Sequence, residues 1–227
     1  MPLPKLKKLP EQATRVPIHA TNLPVVSEAE ASLEVKNLYA QFRTNFGRPE
    51  VPGILQCFAT HPPLLQHMMG LAETMLFSAG ALGRANKEML ATFVSAQNDC
   101  DYCADSHGFC LRMDGGSSEL RTAVTACNLQ SASLSSQQRA LLQFAQKING
   151  DSSSIAPQDT EDLRRFGWTD LQIAEAIHLA ALFACFNRVV NAFGLPSQNM
   201  LATFKENAEA LQQPTVPTLN VNPGGKP

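Results

Sequence analysis

Apolar residues recur along the middle of this chain at three- and four-residue intervals, and two-residue alternation is nearly absent. That pattern predicts helices rather than sheet. Ser27, with Glu30 three residues on, is placed to cap a helix over 27–42 whose stripe is Val35, Leu38 and Phe42. Pro52-Gly53 breaks the chain before a short helix over 54–59. His61-Pro62-Pro63 then starts a longer one, in which Leu64, Leu65, Met68, Met69, Ala72, Met75 and Leu76 share a face. A methionine stripe of this kind reads as core.

Asn86 is placed to cap the next helix, with Met89, Leu90, Phe93 and Val94 inward, and Asn98-Asp99 interrupts it. A new helix begins at Cys100 or Asp101, runs to Met113 and stops at Gly115-Gly116. Further helices are predicted over 118–128, 136–149 and 160–166. The last, over 170–193, is capped by Thr169 with Gln172 and stopped by Gly194 and Pro196. It is apolar on nearly every face, which places it centrally. About eight helices with short connections make one compact, multihelical all-α domain.

The ends differ from this middle. Residues 1–26 carry Pro2, Pro4, Pro10, Pro17 and Pro24 without a helical period, which predicts an extended N-terminal arm. Residues 213–227, rich in Pro and Gly, predict a flexible tail, leaving 27–212 as the helical domain.

Composition narrows the class. The chain has 227 residues and is 44% hydrophobic, enough for a substantial core. With 18 Lys+Arg against 20 Asp+Glu, no charge excess argues for nucleic acid or an anionic membrane as partner. The most apolar run, 176–186, contains His178 and is flanked by Glu175, Asn187 and Arg188, so it reads as a buried helix rather than a membrane span. No signal-peptide pattern opens the sequence, and cytoplasm with reduced thiols is the expectation for Cys57, Cys100, Cys103, Cys110, Cys127 and Cys185.

Chemistry concentrates in one run, Cys100-Asp101-Tyr102-Cys103-Ala104-Asp105-Ser106-His107. Residues three, four and seven apart share a helix face, so both thiols and the imidazole line one stripe. The cysteines also fall in the helix's first turn, where free N–H groups and the dipole favour a thiolate. Three other readings stand beside a redox centre. Cysteines are common in cores, and Cys57, Cys127 and Cys185 are expected there. Cys100, Cys103, His107 and Cys110 offer four zinc ligands, but one straight helix cannot wrap them tetrahedrally around an ion, so no metal is expected. His107 could instead be a hydrogen-bonded core histidine. Three further residues take core or structural readings: Cys110 as a core thiol, His178 as a buried, hydrogen-bonded histidine, and Arg188 as half of a buried ion pair.

The stretch from Val94 to Gly108 closely resembles the core motif of the alkylhydroperoxidase D-like, peroxidase-related branch of the carboxymuconolactone decarboxylase superfamily. In that motif eleven residues separate a Glu from Cys-x-x-Cys-x-x-x-His, and Glu88 occupies the position, twelve before Cys100. Ala59-Thr60-His61-Pro62-Pro63-Leu64-Leu65 and Phe186-Asn187-Arg188 extend the resemblance, which spans about residues 50–196. It implies packed helices assembled as trimers or hexamers, with no cofactor. The implied activity is reduction of organic hydroperoxides at the expense of a dithiol or protein thiol. By motif position Cys103 is the peroxidatic thiol, Cys100 the resolving one, His107 the base and Glu88 the end of the proton relay. Tyr102 departs from members that carry a second His between the cysteines; a phenol can donate a hydrogen bond but is no base near pH 7. Two alternatives stay open: a lyase of the decarboxylase type, whose branch lacks the cysteine pair, and a non-catalytic, redox-sensing helical oligomer.

Overall fold

The computed structural model describes residues 21–200 and 202, which form an all-helical domain. Most of the predicted arm and all of the predicted tail lie outside the described residues. Nine α-helices follow in order among them: α1 (Leu33–Phe46), α2 (Gly53–Phe58), α3 (Pro62–Ala72), α4 (Arg84–Gln97), α5 (Asp101–Met113), α6 (Ser118–Thr125), α7 (Ser136–Asp151), α8 (Pro157–Arg165) and α9 (Asp170–Phe193). A π-helical turn, Glu73–Phe77, prolongs α3.

Two starts differ from expectation, for local reasons. Ser27 and Glu30 do bond to one another, but they close a single turn. The helix itself waits for Ser32, whose hydroxyl accepts from the Val35 N–H. Asn86 lies inside α4 rather than at its cap, because Gly83, at φ +79, turns the chain into Arg84. Prolines at the first helical positions set the starts of α3 and α8.

Helix α4 is the axis of the domain: every residue from Lys87 to Ser95 is buried. It packs against α5, α6, α7 and α9. Leu90, Phe93 and Val94 of α4 meet Leu141 and Leu142 of α7 and Leu179 and Phe183 of α9 in the main core. A second cluster, with Val35, Tyr39 and Phe42 of α1, Leu65 and Met69 of α3 and Phe186 of α9, lies on the other side of α9. Burying side chains of this size stabilises by roughly 1.5–3 kcal/mol each before the entropy cost.

Helix α9 is long and apolar enough to cross a membrane, yet half of its most apolar stretch is buried within the domain. Its buried face is Ala176, Leu179, Ala180, Phe183, Phe186, Asn187 and Val190, spaced by three and four. Three expectations fail on this phase. His178, Cys185 and Arg188 fall on the opposite face and are exposed, and the Arg188 guanidinium donates to the Ala184 carbonyl instead of pairing with a buried acid. Cys127 is also only half-buried, at φ +50 just past α6.

The described end of the arm is pinned rather than free. The Asn22 N–H donates to the Phe193 carbonyl at 2.7 Å, and the Tyr39 hydroxyl donates to the Val26 carbonyl at 2.8 Å.

Candidate active site

The α4–α5 junction places the two cysteines. Helix α4 ends at Asn98, Asp99 takes the left-handed conformation at φ +49, and the Cys100 N–H then donates to the Ser95 carbonyl at 2.9 Å. Asn and Asp tolerate such geometry better than other side-chain-bearing residues. Cys100 thereby occupies the cap position of α5, with Cys103 in the first turn.

A group of asparagines locks this corner. Asn98 donates to Asn149 of α7 at 3.1 Å and to Asn187 of α9 at 3.0 Å, and Asn187 donates to the Ser95 hydroxyl at 2.9 Å. Asn187 is fully buried and its amide also lies against both sulfurs, favouring their anionic forms. Its role was missed in the sequence reading, which weighed Arg188 next to it. The signal was there, since Asn187 and not Arg188 is in phase with Phe183 and Val190.

Both thiols are buried and unbridged. They share a hydrogen bond that pulls their acidities apart. Cys103 donates to Cys100, which lowers the Cys100 pKa against the opposing effect of burial. The same bond, with burial second, raises that of Cys103 well above the ordinary thiol value. The helix-cap position therefore carries the more acidic sulfur, as the dipole argument requires. Cys103, however, is the one that lines the adjoining cavity. Cys57 packs beside the pair, and burial pushes it up to about 12, so it is an unreactive neighbour.

Glu88 and His107 meet as the motif spacing predicts. The Glu88 carboxylate is wholly buried and its Oε2 lies 2.7 Å from His107 Nδ1. The imidazole stands edge-on to Phe183, ring centroids 4.6 Å apart, and shares the cavity wall with Cys103. Arg84, not anticipated, completes the line: its guanidinium lies 2.5 Å from Glu88 Oε1, one helical turn back on α4, and 3.3 Å from Asp114. It also donates to the Leu76 carbonyl and lies over the Phe77 ring, which the π-helical turn presents.

One residue sits differently from expectation. Cys110 is no core thiol: it lines the cavity, and its Sγ falls within 4.8 Å of ligand atoms of Glu88 and His107. Burial, followed by the Glu88 charge, pushes its pKa strongly up and keeps it a neutral thiol. These three donors are the grouping among the described residues that could hold a metal ion. Arg84, already paired to Glu88, would repel a cation there. Tyr102 is buried, its acidity suppressed first by burial and then by Cys103, and its hydroxyl accepts from Gln198 Nε2 at 3.4 Å.

The cavity, about 100 Å³, opens between α1, α2, α3 and α5. Part of the expected methionine core stripe, Met68, Met69, Ala72 and Leu76, forms one wall, and Phe42, Phe46, Phe58 and Phe186 form others. At about two-thirds of the roughly 150 Å³ that encloses benzene, the space admits part of an apolar body that reaches in from outside.

Comparison with known proteins bears on the fold. The carboxymuconolactone decarboxylase family profile matches residues 62–147. The alkylhydroperoxidase D core of an uncharacterised peroxidase-related protein from Ralstonia eutropha JMP134 superposes with a TM-score of 0.71 at 26% identity, covering 81% of this chain and 94% of that one. An uncharacterised peroxidase-related protein from Silicibacter sp. TM1040 gives 0.66 at 27% identity, over 83% and 94%. The debrominase Bmp8 shares the fold at 18% identity, with a TM-score of 0.64 over 82% and 96%. Among curated proteins none matches significantly. In family profile and in fold, the chain is similar to the alkylhydroperoxidase D-like branch of the carboxymuconolactone decarboxylase superfamily.

Proposed function

We propose that the protein reduces organic hydroperoxides through the Cys100–Cys103 pair, with a dithiol or protein thiol restoring the reduced state. The observation that carries this reading is one cavity wall holding both Cys103 and His107, with Glu88 behind the imidazole. Cys103 attacks the terminal oxygen of ROOH while its proton passes to the Cys100 thiolate. An S–O bond forms, the O–O bond breaks, and the alkoxide leaves as ROH with a proton delivered from His107. The Cys100 thiol then attacks the Cys103 sulfenic acid; the S–S bond forms and hydroxide departs with the Cys100 proton as water. Two electrons pass from the thiols to the peroxide, and Glu88 and Arg84 hold His107 in register for the proton.

The more acidic Cys100 thus serves as proton acceptor and resolving thiol, and the cavity-facing Cys103 as nucleophile. Tyr102 positions rather than reacts, since its raised pKa keeps the phenol protonated. The same reading extends to a trimer or hexamer, supported by the family resemblance. Because the debrominase Bmp8, which shares the fold, has been seen with 2,3,4-tribromopyrrole bound, a halogenated pyrrole belongs in the assay as a competing substrate.

Stopped-flow consumption of cumene hydroperoxide with excess dithiol tests the proposal. Wild-type protein turns over, and Cys103→Ser loses activity by at least about a hundredfold, as loss of a covalent nucleophile requires. Full peroxide consumption by Cys103→Ser would refute the assignment.

A further inference from the structure

Arg48 has no part in the chemistry derived above. It follows α1, is half-buried, and lines the same apolar cavity as Cys103, His107 and Cys110. Among the described residues it makes no ion pair, and no carboxylate is found among the cavity's lining residues. Glu88 is buried behind His107 and already engaged by Arg84, and the Asp105 carboxylate accepts from the Met200 N–H. Among the described residues the cavity therefore presents one guanidinium without an ion-pair partner, in a lining that is mostly Phe, Met, Leu and Ile with the neutral polar groups of Tyr102, Ser106 and Gln198. Its charge reaches into that space, where it acts on Tyr102 and Cys110. A half-buried guanidinium beside apolar walls gains from pairing with an anion, and it matches a carboxylate with two parallel hydrogen bonds.

We infer that Arg48 is the subsite for a carboxylate on the substrate, and that the cavity takes small aryl or alkyl hydroperoxides bearing an acid group at the end away from the peroxide. The hydroperoxide part of this inference rests on the proposed function; the carboxylate subsite does not. Arg48 then sets specificity through binding: it lowers KM for acids and leaves kcat unchanged, because the charge it holds is the same in ground and transition states.

The test titrates 4-isopropylbenzoate and its neutral amide onto the reduced protein by calorimetry. The acid binds tighter by roughly tenfold or more, the scale of one hydrogen-bonded charge partner, and Arg48→Met abolishes the difference while Arg48→Lys keeps part of it. Equal binding of acid and amide by the unmodified protein, or binding of neither, overturns the inference without recourse to any variant. So does a preference that survives in Arg48→Met. Turnover of cumene hydroperoxide and of its para-carboxylate separates the two readings. Equal KM values with active turnover reject the subsite and keep the peroxidase. Carboxylate-dependent binding with no turnover of either hydroperoxide rejects the peroxidase and keeps the subsite.

Discussion

The Nδ1 of His107 lies 2.7 Å from the Glu88 carboxylate, a side chain with no exposed surface. A carboxylate held there fixes the ring's orientation and leaves Nε2 for the reacting groups. Glu88→Gln keeps the shape and removes the charge. Peroxide turnover at neutral pH should fall roughly tenfold or more, less than the roughly hundredfold minimum of a group that transfers the proton itself, because Glu88 acts through His107. An unchanged kcat/KM would remove Glu88 from the relay.

Arg84 is what makes a buried Glu88 tolerable. Arg84→Met strips the cation and leaves the carboxylate with His107 alone. Breaking a fully buried pair costs roughly 3–5 kcal/mol. Arg84 is 24% exposed, so solvent reduces the loss to about 2 kcal/mol. Urea unfolding with an unchanged m-value would measure it, and a loss below about 0.5 kcal/mol would contradict the role.

Asn187 supports the thiolate. With Cys103 it holds the Cys100 pKa below the ordinary 9.0, so the reduced fold gains stability from the thiolate as pH rises from that depressed value toward 9.0. The gain is lost as pH falls through the depressed value. In Asn187→Ala the inflection of iodoacetamide reactivity against pH should move upward, toward 9.0. An unmoved inflection would leave Cys103 as the whole cause.

Gly80 guards a different pair. It sits at φ +55, and a Cβ there would lie 2.6 Å from both Lys87 Nζ and Glu175 Oε2. Lys87 is almost wholly buried, with burial holding its pKa down, and its partner Glu175 also accepts from the Ala81 and Leu82 N–H groups. Gly80→Ala should destabilise by about 2 kcal/mol, combining backbone strain with displacement of that pair. A melting temperature equal to the parent's would show that the loop relaxes freely.

Periodicity and punctuation made much of the fold legible: the breaks at Pro52-Gly53, Asn98-Asp99 and Gly194 fall where the helices end or begin. What failed was phase. Reading 170–193 as apolar throughout hid which face is buried, and so put Arg188 and His178 inside when Asn187 is. At the site, Glu88, His107 and the cysteines came from motif spacing. Arg84 stands one turn before Glu88 and was recoverable from that i,i+4 relation. Arg48 was not, because only the meeting of α1 with α3 and α5 around a cavity gives a guanidinium outside the motif its meaning.

The central claim is that Cys100 and Cys103 exchange two electrons with a hydroperoxide. Mass spectrometry of the reduced protein after one equivalent of cumene hydroperoxide tests it most directly. The account predicts a peptide lighter by two hydrogens, carrying a Cys100–Cys103 disulfide with Cys110 still a free thiol, and one equivalent of alcohol released. Persistent free thiols on both residues with the peroxide unconsumed would contradict it.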